Sequence, residues 1–169
     1  MAVRRCEIES PVGTLTLFAD EHGLSRVLFE GEVLDDTGTE VTEIVDAPDD
    51  PVLIEAVRQL EEYFAGSRDH FELPLHLEGN NFEREAWRAL AAIPYGETIS
   101  YGEQAAYIGR PGAFRAVGGA NGRNPLPIVL PCHRVVGADG SLVGFGGGLA
   151  VKQWLLDHER GVPQLPFES

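Results

Sequence analysis

The hydrophobic period of this chain changes partway along its length, and that change limits the folds open to it. "RRCEIES" and "GTLTLFAD" alternate apolar with polar residues, "LSRVLFE" is rich in branched side chains, and Gly13 and Gly23 punctuate them. A period of two sends successive side chains to opposite faces, so these segments read as strands of an antiparallel meander. Residues 30–50 are acidic, contain Gly31, Gly38 and Pro48, and read as a variable loop. Asp50 before Pro51 has the form of a helix start. Leu53, Ala56, Val57, Leu60 and Phe64 then recur at helical spacing, and Gly66 is the stop. That helix is expected to lie on the sheet.

"LPLHLEGNNF" reads as a linker, and beyond it the period is helical. Asn81 is a candidate cap for a helix whose inner face is Phe82, Ala86, Leu90 and Ile93. Ser100-x-x-Glu103 is a capping box opening "YGEQAAYI"; Gly109 closes that helix, "RPG" turns, and "AFRAVGGANGR" begins the next. Two short helices joined by a tight turn make a helix-turn-helix pattern, although ordinary helical cores contain such pairs too. The expected architecture is an α/β domain over residues 1–80, a small antiparallel sheet plus a helix. A mostly helical domain carrying the helix-turn-helix follows over residues 81–169.

A chain of 169 residues is long enough to bury a core in one domain or two small ones. Its two cysteines, Cys6 and Cys132, lie too far apart in sequence for a disulfide framework or a zinc-ribbon spacing. The thiols suit a reducing compartment. The N-terminal residues hold no apolar signal core and no apolar run reaches membrane-spanning length, so the expectation is a soluble cytoplasmic protein with no membrane partner.

The net charge of −14 argues against a nucleic-acid partner until it is resolved along the chain. Residues 1–81 hold 5 Arg against 19 Asp and Glu, whereas residues 98–138 hold Arg110, Arg115, Arg123 and Arg134 against Glu103 alone. A local excess of +3 is a patch able to touch phosphate while the rest of the chain repels it. The helix inside that patch is nearly bare, with Ala113, Ala116, Gly118, Gly119 and Ala120 around one long side chain, Arg115. Each mid-helix glycine costs about 1 kcal/mol relative to alanine. Two readings account for that cost: tight packing on a neighbouring helix, or close approach of a nucleic-acid backbone.

"PCHRVVG" places Cys132 beside His133 and Arg134. A buried cysteine usually serves as a small hydrophobe, and the flanking Ile128, Val129, Leu130, Val135 and Val136 permit that. A reactive thiol needs an imidazole or a positive charge nearby. On a strand His133 would face away from Cys132, so a catalytic pairing requires a kink or a bridging water. Both readings of Cys132 stay open at this level. Cys6, on a predicted strand without a nearby histidine, reads as structural.

The stretch from "IPYGETISYGEQAAYIGRPGAFRAVGGANGRNP" through "PCHRVVG" to "GGGLAVKQWLLDHE" resembles the signature half of the O6-alkylguanine-DNA alkyltransferases. The resemblance runs from about Phe82 to Glu159, and the first half is similar to that family's N-terminal domain in length and layout. It implies a ribonuclease-H-like first domain and a winged-helix-like second one. It also implies repair of duplex DNA bound through the minor groove, by a monomer without cofactor. The damaged guanine would be flipped out and its O6-alkyl group moved irreversibly onto Cys132, with O4-alkylthymine as a further substrate. His133 matches the base acting on the thiol through a water, Glu159 the carboxylate orienting it, and Asn124 an asparagine holding the relay and the loop. Arg115 matches the finger that fills the vacated stack, Tyr101 a contact to the extruded nucleotide, and Ala113, Ala116 and Gly118 the surface along the groove. Val135 and Cys132 match carbonyl acceptors for the guanine amine, and Phe145 and Gly146 match the pocket wall. Lys152 resembles a lysine near the site and reads equally well as a surface residue.

Phe145 departs from the family pattern, where many members carry tyrosine; a phenyl face still stacks on a base but donates no hydrogen bond. Some members hold a zinc ion in the first domain. Here His22, His70 and His76 show no ligand spacing, so no metal is expected. Three other readings remain: a lesion binder that transfers nothing, a sequence-specific regulator, and a thiol hydrolase with a Cys-His-Glu triad. The regulator predicts affinity for undamaged DNA, the hydrolase predicts turnover, and the lesion binder lacks the acceptor cysteine that Cys132 supplies.

Overall fold

The computed structural model describes residues 2–34 and 43–163. The chain divides into two compact units, one ending at Leu77 and the other beginning at Glu78.

The first unit is built on three strands, β1 (Ala2–Ser10), β2 (Gly13–Asp20) and β3 (Gly23–Leu28), in the expected meander. The sheet is nonetheless mixed and not antiparallel throughout. A fourth strand, β4 (Glu43–Asp46), adds to β1 in parallel, giving the order β3-β2-β1-β4. β4 falls inside the segment read as a loop, of which residues 35–42 lie outside the described residues. All its side chains are exposed, so no buried stripe betrayed it; backbone pairing alone makes it an edge strand.

Helix α1 (Pro51–Phe64) starts as expected: the Asp50 carboxylate accepts from the amides of Val52 and Leu53, both at 3.1 Å. Its buried face is rotated slightly from the expected one. Leu53, Ala56 and Leu60 are buried, but Gln59 and Tyr63 are buried in place of Val57 and Phe64. Gln59 tolerates burial because both ends of its amide pair with the Glu72 backbone, each at 2.9 Å. The start of the predicted linker belongs to this unit. Leu24 donates to the Pro74 carbonyl and His76 to the Leu24 carbonyl, both at 2.8 Å. Gly23 is required there, since a Cβ would sit 2.4 Å from the Pro74 oxygen, at a φ of 145°. This strap carries His76 to the β2–β3 turn, where it pairs with Asp20 and meets the His22 ring at 4.8 Å. Sequence spacing did not show that grouping, because His76 is far along the chain.

In the second unit α2 (Asn81–Leu90) is capped by Asn80, not Asn81: the Asn80 side chain accepts from Glu83 N at 2.8 Å and Glu83 returns the bond at 3.0 Å. With two adjacent asparagines, the one three residues before a glutamate completes the box. Ala86, Trp87, Ala89 and Leu90 are buried, and Trp87 Nε1 donates to the Ala120 carbonyl at 2.7 Å. Strand β5 (Ile99–Ser100) leads into α3 (Tyr101–Tyr107), whose Ser100–Glu103 capping box is formed as read. Helix α4 (Phe114–Gly122) packs on α2 and α3. Buried Gln104 and Asn121 join α3 to α4 through paired amide bonds of 3.1 and 2.7 Å. A short 3-10 turn (Cys132–Arg134) runs into β6 (Val135–Val136), parallel to β5, and α5 (Leu149–Glu159) closes the unit. Among the described residues no helix is long and apolar enough to cross a membrane.

Candidate active site

Cys132 is reached through a strained, buried segment. Asn124 holds it at both ends, donating from Nδ2 to the Leu130 carbonyl and accepting from the Leu126 amide, each at 2.9 Å. Between these ties Ile128 adopts a φ of 73°, a conformation a β-branched residue rarely takes. Such strain costs roughly 1–3 kcal/mol and persists only where the surroundings enforce it. Here Leu126, Ile128 and Leu130 are all buried.

Cys132 and His133 lie on a 3-10 turn and not a strand, so the alternation that would send them to opposite faces does not apply. The His133 side chain is fully buried, and its Nε2 lies 2.6 Å from Glu159 Oε2. An ionised Glu159 only accepts, so Nε2 carries the proton and Nδ1 is the basic nitrogen. Nδ1 is buried without a hydrogen-bond partner, and it alone has that status among the described residues. Glu159, at the end of α5, has its carboxylate wholly shielded.

Burial pushes the Cys132 thiol up to about 11, against the opposing effects of a hydrogen bond from Asn124 and the charge of Lys152. The resting group is therefore a thiol. Burial likewise lowers His133; the Glu159 carboxylate works the other way, and the charges of Arg134 and Lys152 add to the lowering. For Glu159, burial favours the neutral acid, but the hydrogen bonds and charges of His133 and Arg134 outweigh it and hold the carboxyl below its usual range. Lys152 is not on the surface: it is fully buried, donates to the Val143 carbonyl at 2.9 Å and lies 5.9 Å from the Tyr101 ring centroid. Tyr101 Oη donates to the same carbonyl at 3.2 Å. The two donors tether the segment that leads to Phe145 and Gly146.

A cavity of about 500 Å³ opens beside these groups, lined by Tyr101, Phe114, Gly118, Gly122, Val143, Gly144, Phe145 and Gly146. Glycine along one side and aromatic rings along others suit a flat ring system. The expected Tyr101, Gly118, Phe145 and Gly146 thus share one cavity. Val135 does not line it; its side chain is fully buried in β6, and its amide bonds the Cys132 carbonyl. Phe114 was missed. The sequence "AFRAV" places an aromatic directly before Arg115, yet the helix read as bare. In the structure Phe114 is 48% exposed, lines the cavity, and lies under the Arg115 guanidinium at 5.8 Å.

The basic patch is smaller than the sequence count. Arg134 is buried against Glu159, Arg123 pairs with Glu83 at 2.6 Å, and Arg110 reaches Glu85 at 3.4 Å. Arg115 is exposed and has no carboxylate partner among the described residues. Nor does internal packing explain the glycines of α4. A Cβ on Gly118 would meet the Tyr101 ring at an ordinary 3.7 Å, one on Gly119 would meet only the flexible end of Arg123 at 3.4 Å, and one on Gly122 would meet nothing within 4 Å. Ala113 and Ala116 add two more small residues, Ala116 exposed and Ala113 partly so.

The site thus combines a buried Cys132, a buried His133–Glu159 pair, and an aromatic-walled cavity lined in part by the small-residue helix α4. Residues 81–161 match the 6-O-methylguanine DNA methyltransferase DNA binding domain, and residues 4–77 match the ribonuclease-like domain of the same family. The chain belongs to the 6-O-methylguanine DNA methyltransferase family. It is 50% identical over 153 residues to the methylated-DNA–protein-cysteine methyltransferase of Mycolicibacterium paratuberculosis, covering 90% of both chains. It is 44% identical to the constitutive enzyme of Bacillus subtilis, covering 90% of this chain and 92% of that one. Among solved structures it is similar to Mycobacterium tuberculosis OGT in complex with DNA, with a TM-score of 0.82 and 43% identity over 96% of this chain and 94% of the other.

Proposed function

We propose that this protein repairs DNA directly, moving the alkyl group of O6-alkylguanine, and of O4-alkylthymine, onto Cys132 in one irreversible turnover. The observation that carries this reading is the buried Cys132 thiol beside a His133–Glu159 pair whose second ring nitrogen is unpaired. His133 Nδ1 takes the thiol proton through one water, and Glu159 stabilises the imidazolium that forms. The sulfur attacks the alkyl carbon. A C–S bond forms, the C–O6 bond breaks with its electron pair going to O6, and the base takes back one proton to leave as guanine. A thioether has no easy route back to thiol, so each molecule acts once. Lys152 adds a positive charge near the sulfur as negative charge develops there.

The α3–α4 pair acts as the helix-turn-helix of a winged-helix-like domain. It lays Ala113, Ala116 and Gly118 along the minor groove of the duplex, with Arg115 entering the stack that the flipped base leaves. The unexplained glycines of α4 and the unpaired Arg115 support this placement. The base occupies the cavity against Tyr101, Phe114 and Phe145. The protein works as a cytoplasmic monomer without a cofactor.

Intact-mass spectrometry after incubation with an oligonucleotide containing O6-methylguanine tests the proposal. The expected result is one added methyl group, mapped to Cys132, with repaired lesions levelling at one per protein molecule. Continued product formation would identify a hydrolase, and an unmodified protein that still binds the lesion would identify a lesion binder.

A further inference from the structure

Arg134 stands next to the histidine of the relay, yet the transfer as derived gives it no part. Its side chain is 6% exposed, and its guanidinium donates three times inside the protein. Nε reaches Glu159 Oε1 at 2.8 Å, Nη2 reaches Glu159 Oε2 at 3.1 Å, and Nη1 reaches the Ile93 carbonyl at 2.7 Å. The Tyr95 ring lies 5.6 Å from the guanidinium carbon. The planar fork thus grips both oxygens of the carboxylate that also binds His133. With the Gly96 amide on Oε1 at 3.1 Å and His133 on Oε2 at 2.6 Å, Glu159 receives four hydrogen bonds. That is about the full acceptor capacity of a carboxylate.

Charge gives this grip a chemical consequence. A lone buried carboxylate 2.6 Å from an imidazole draws a proton onto the ring. The imidazolium so formed has no lone pair on Nδ1 and cannot take the Cys132 proton. Arg134 offsets the carboxylate, so the Arg134–Glu159 unit is neutral overall and the ring has no net negative neighbour to protonate for. We propose that Arg134 is a positioning residue for the transfer: by occupying both oxygens of Glu159 it keeps His133 uncharged in the resting protein, with Nδ1 free to act as the base. The charged and titratable groups around His133 are Glu159 and Lys152 from α5 and Arg134 and Cys132 from its own turn. Of these only Glu159 favours the imidazolium, while Arg134 and Lys152 oppose it. Arg134 is the one that holds Glu159 directly.

This inference rests on the alkyl-transfer reading, and the test separates the two. Single-turnover rates with a methylated oligonucleotide are measured against pH for the native protein, Arg134→Lys and Arg134→Gln, with thermal melting as a check on folding. If the native protein takes up no methyl group, the transfer reading itself fails. If it does, loss of the charge in Arg134→Gln is expected to move the acidic fall of the rate upward by at least ~1 pH unit. Arg134→Lys, which keeps the charge, should leave that fall close to its native position. A rate lowered equally at every pH, with the acidic fall unmoved in Arg134→Gln, would mean that Arg134 only supports the fold and would overturn the proposal. Should Arg134→Gln fail to fold, nitrogen NMR of His133 in the native protein decides. The neutral Nε2–H ring is expected to persist below the ordinary histidine value of ~6.5. An imidazolium at neutral pH would overturn the proposal.

Discussion

His133 and Glu159, 26 positions apart in the chain, meet side chain to side chain at 2.6 Å with no solvent exposure on either. The pairing ties α5 to the turn that carries Cys132, so relay and fold share one bond. Both groups have folded-state values below their ordinary ones. An unfolded chain therefore binds protons that the folded one refuses. The stability contributed is complete above the unfolded histidine value of ~6.5 and declines as the pH falls below it, first through His133 and then, below ~4.3, through Glu159. Denaturant melts at stepped pH check this, and a Glu159→Gln variant should show a flatter decline below about pH 4.3, where the carboxylate no longer titrates. That variant also leaves Arg134 buried without its counter-charge, at a cost of about 3–5 kcal/mol.

Reaction with the lesion and reaction with an ordinary thiol reagent should part company in their pH dependence. Burial holds the Cys132 thiol up at about 11. Labelling by a small neutral alkylating agent, followed by peptide mapping to separate Cys132 from Cys6, should climb steadily across the alkaline range. On the proposed mechanism, in which His133 removes the proton within the step, methyl transfer from DNA should instead proceed at neutral pH. A labelling rate that levels off below pH 8 would show a resting thiolate and remove the need for a base.

Gly118→Ala should make the protein more stable and less active. The new Cβ meets the Tyr101 ring at 3.7 Å, so the helix gains up to about 1 kcal/mol in propensity without a clash. The same methyl group projects into the cavity that Gly118 lines, and transfer should slow. Melting temperature and single-turnover rate on one sample of each protein check both halves. A loss of stability would mean that the glycine serves internal packing.

Arg115 and Phe114 are neighbours with different work. Arg115→Ala should slow repair in duplex DNA far more than reaction with free O6-benzylguanine, since a free base needs no extrusion. Phe114→Ala should slow both, because the ring lines the cavity proposed to hold the base. Removing one aromatic stacking face costs about 1–3 kcal/mol by alanine substitution, a five- to more than hundredfold loss. Equal losses on both substrates for Arg115→Ala would assign that residue to the fold.

What the chain disclosed on its own was local. The Asp50 and Ser100 caps were legible because a cap needs only a short polar side chain and an amide two or three residues away. The three-strand meander was legible from alternation. Cys132 and His133 stood out together because they are adjacent, while the roles expected of them and of Asn124 came from the family resemblance. β4 escaped because an edge strand with no buried side chain leaves no periodic trace. The burial of Lys152 and Glu159 escaped for a related reason: the sequence of a helix shows which residues share a face, not what covers that face.

The sequence by itself therefore determined most of the elements and their ends, and it set Cys132 beside His133 without deciding between a reactive and a core thiol. Tertiary structure alone decided which groups are dry and which touch. It buried Glu159 as the acceptor for His133 and Arg134, and it buried Lys152 beneath Tyr101. It also withdrew three of four arginines from the apparent basic patch into ion pairs, leaving Arg115 exposed. The physical reason is that charge and nucleophilicity depend on dielectric and on neighbours a few ångströms away. Those neighbours are supplied by residues 25 or more positions distant, and no local pattern encodes them.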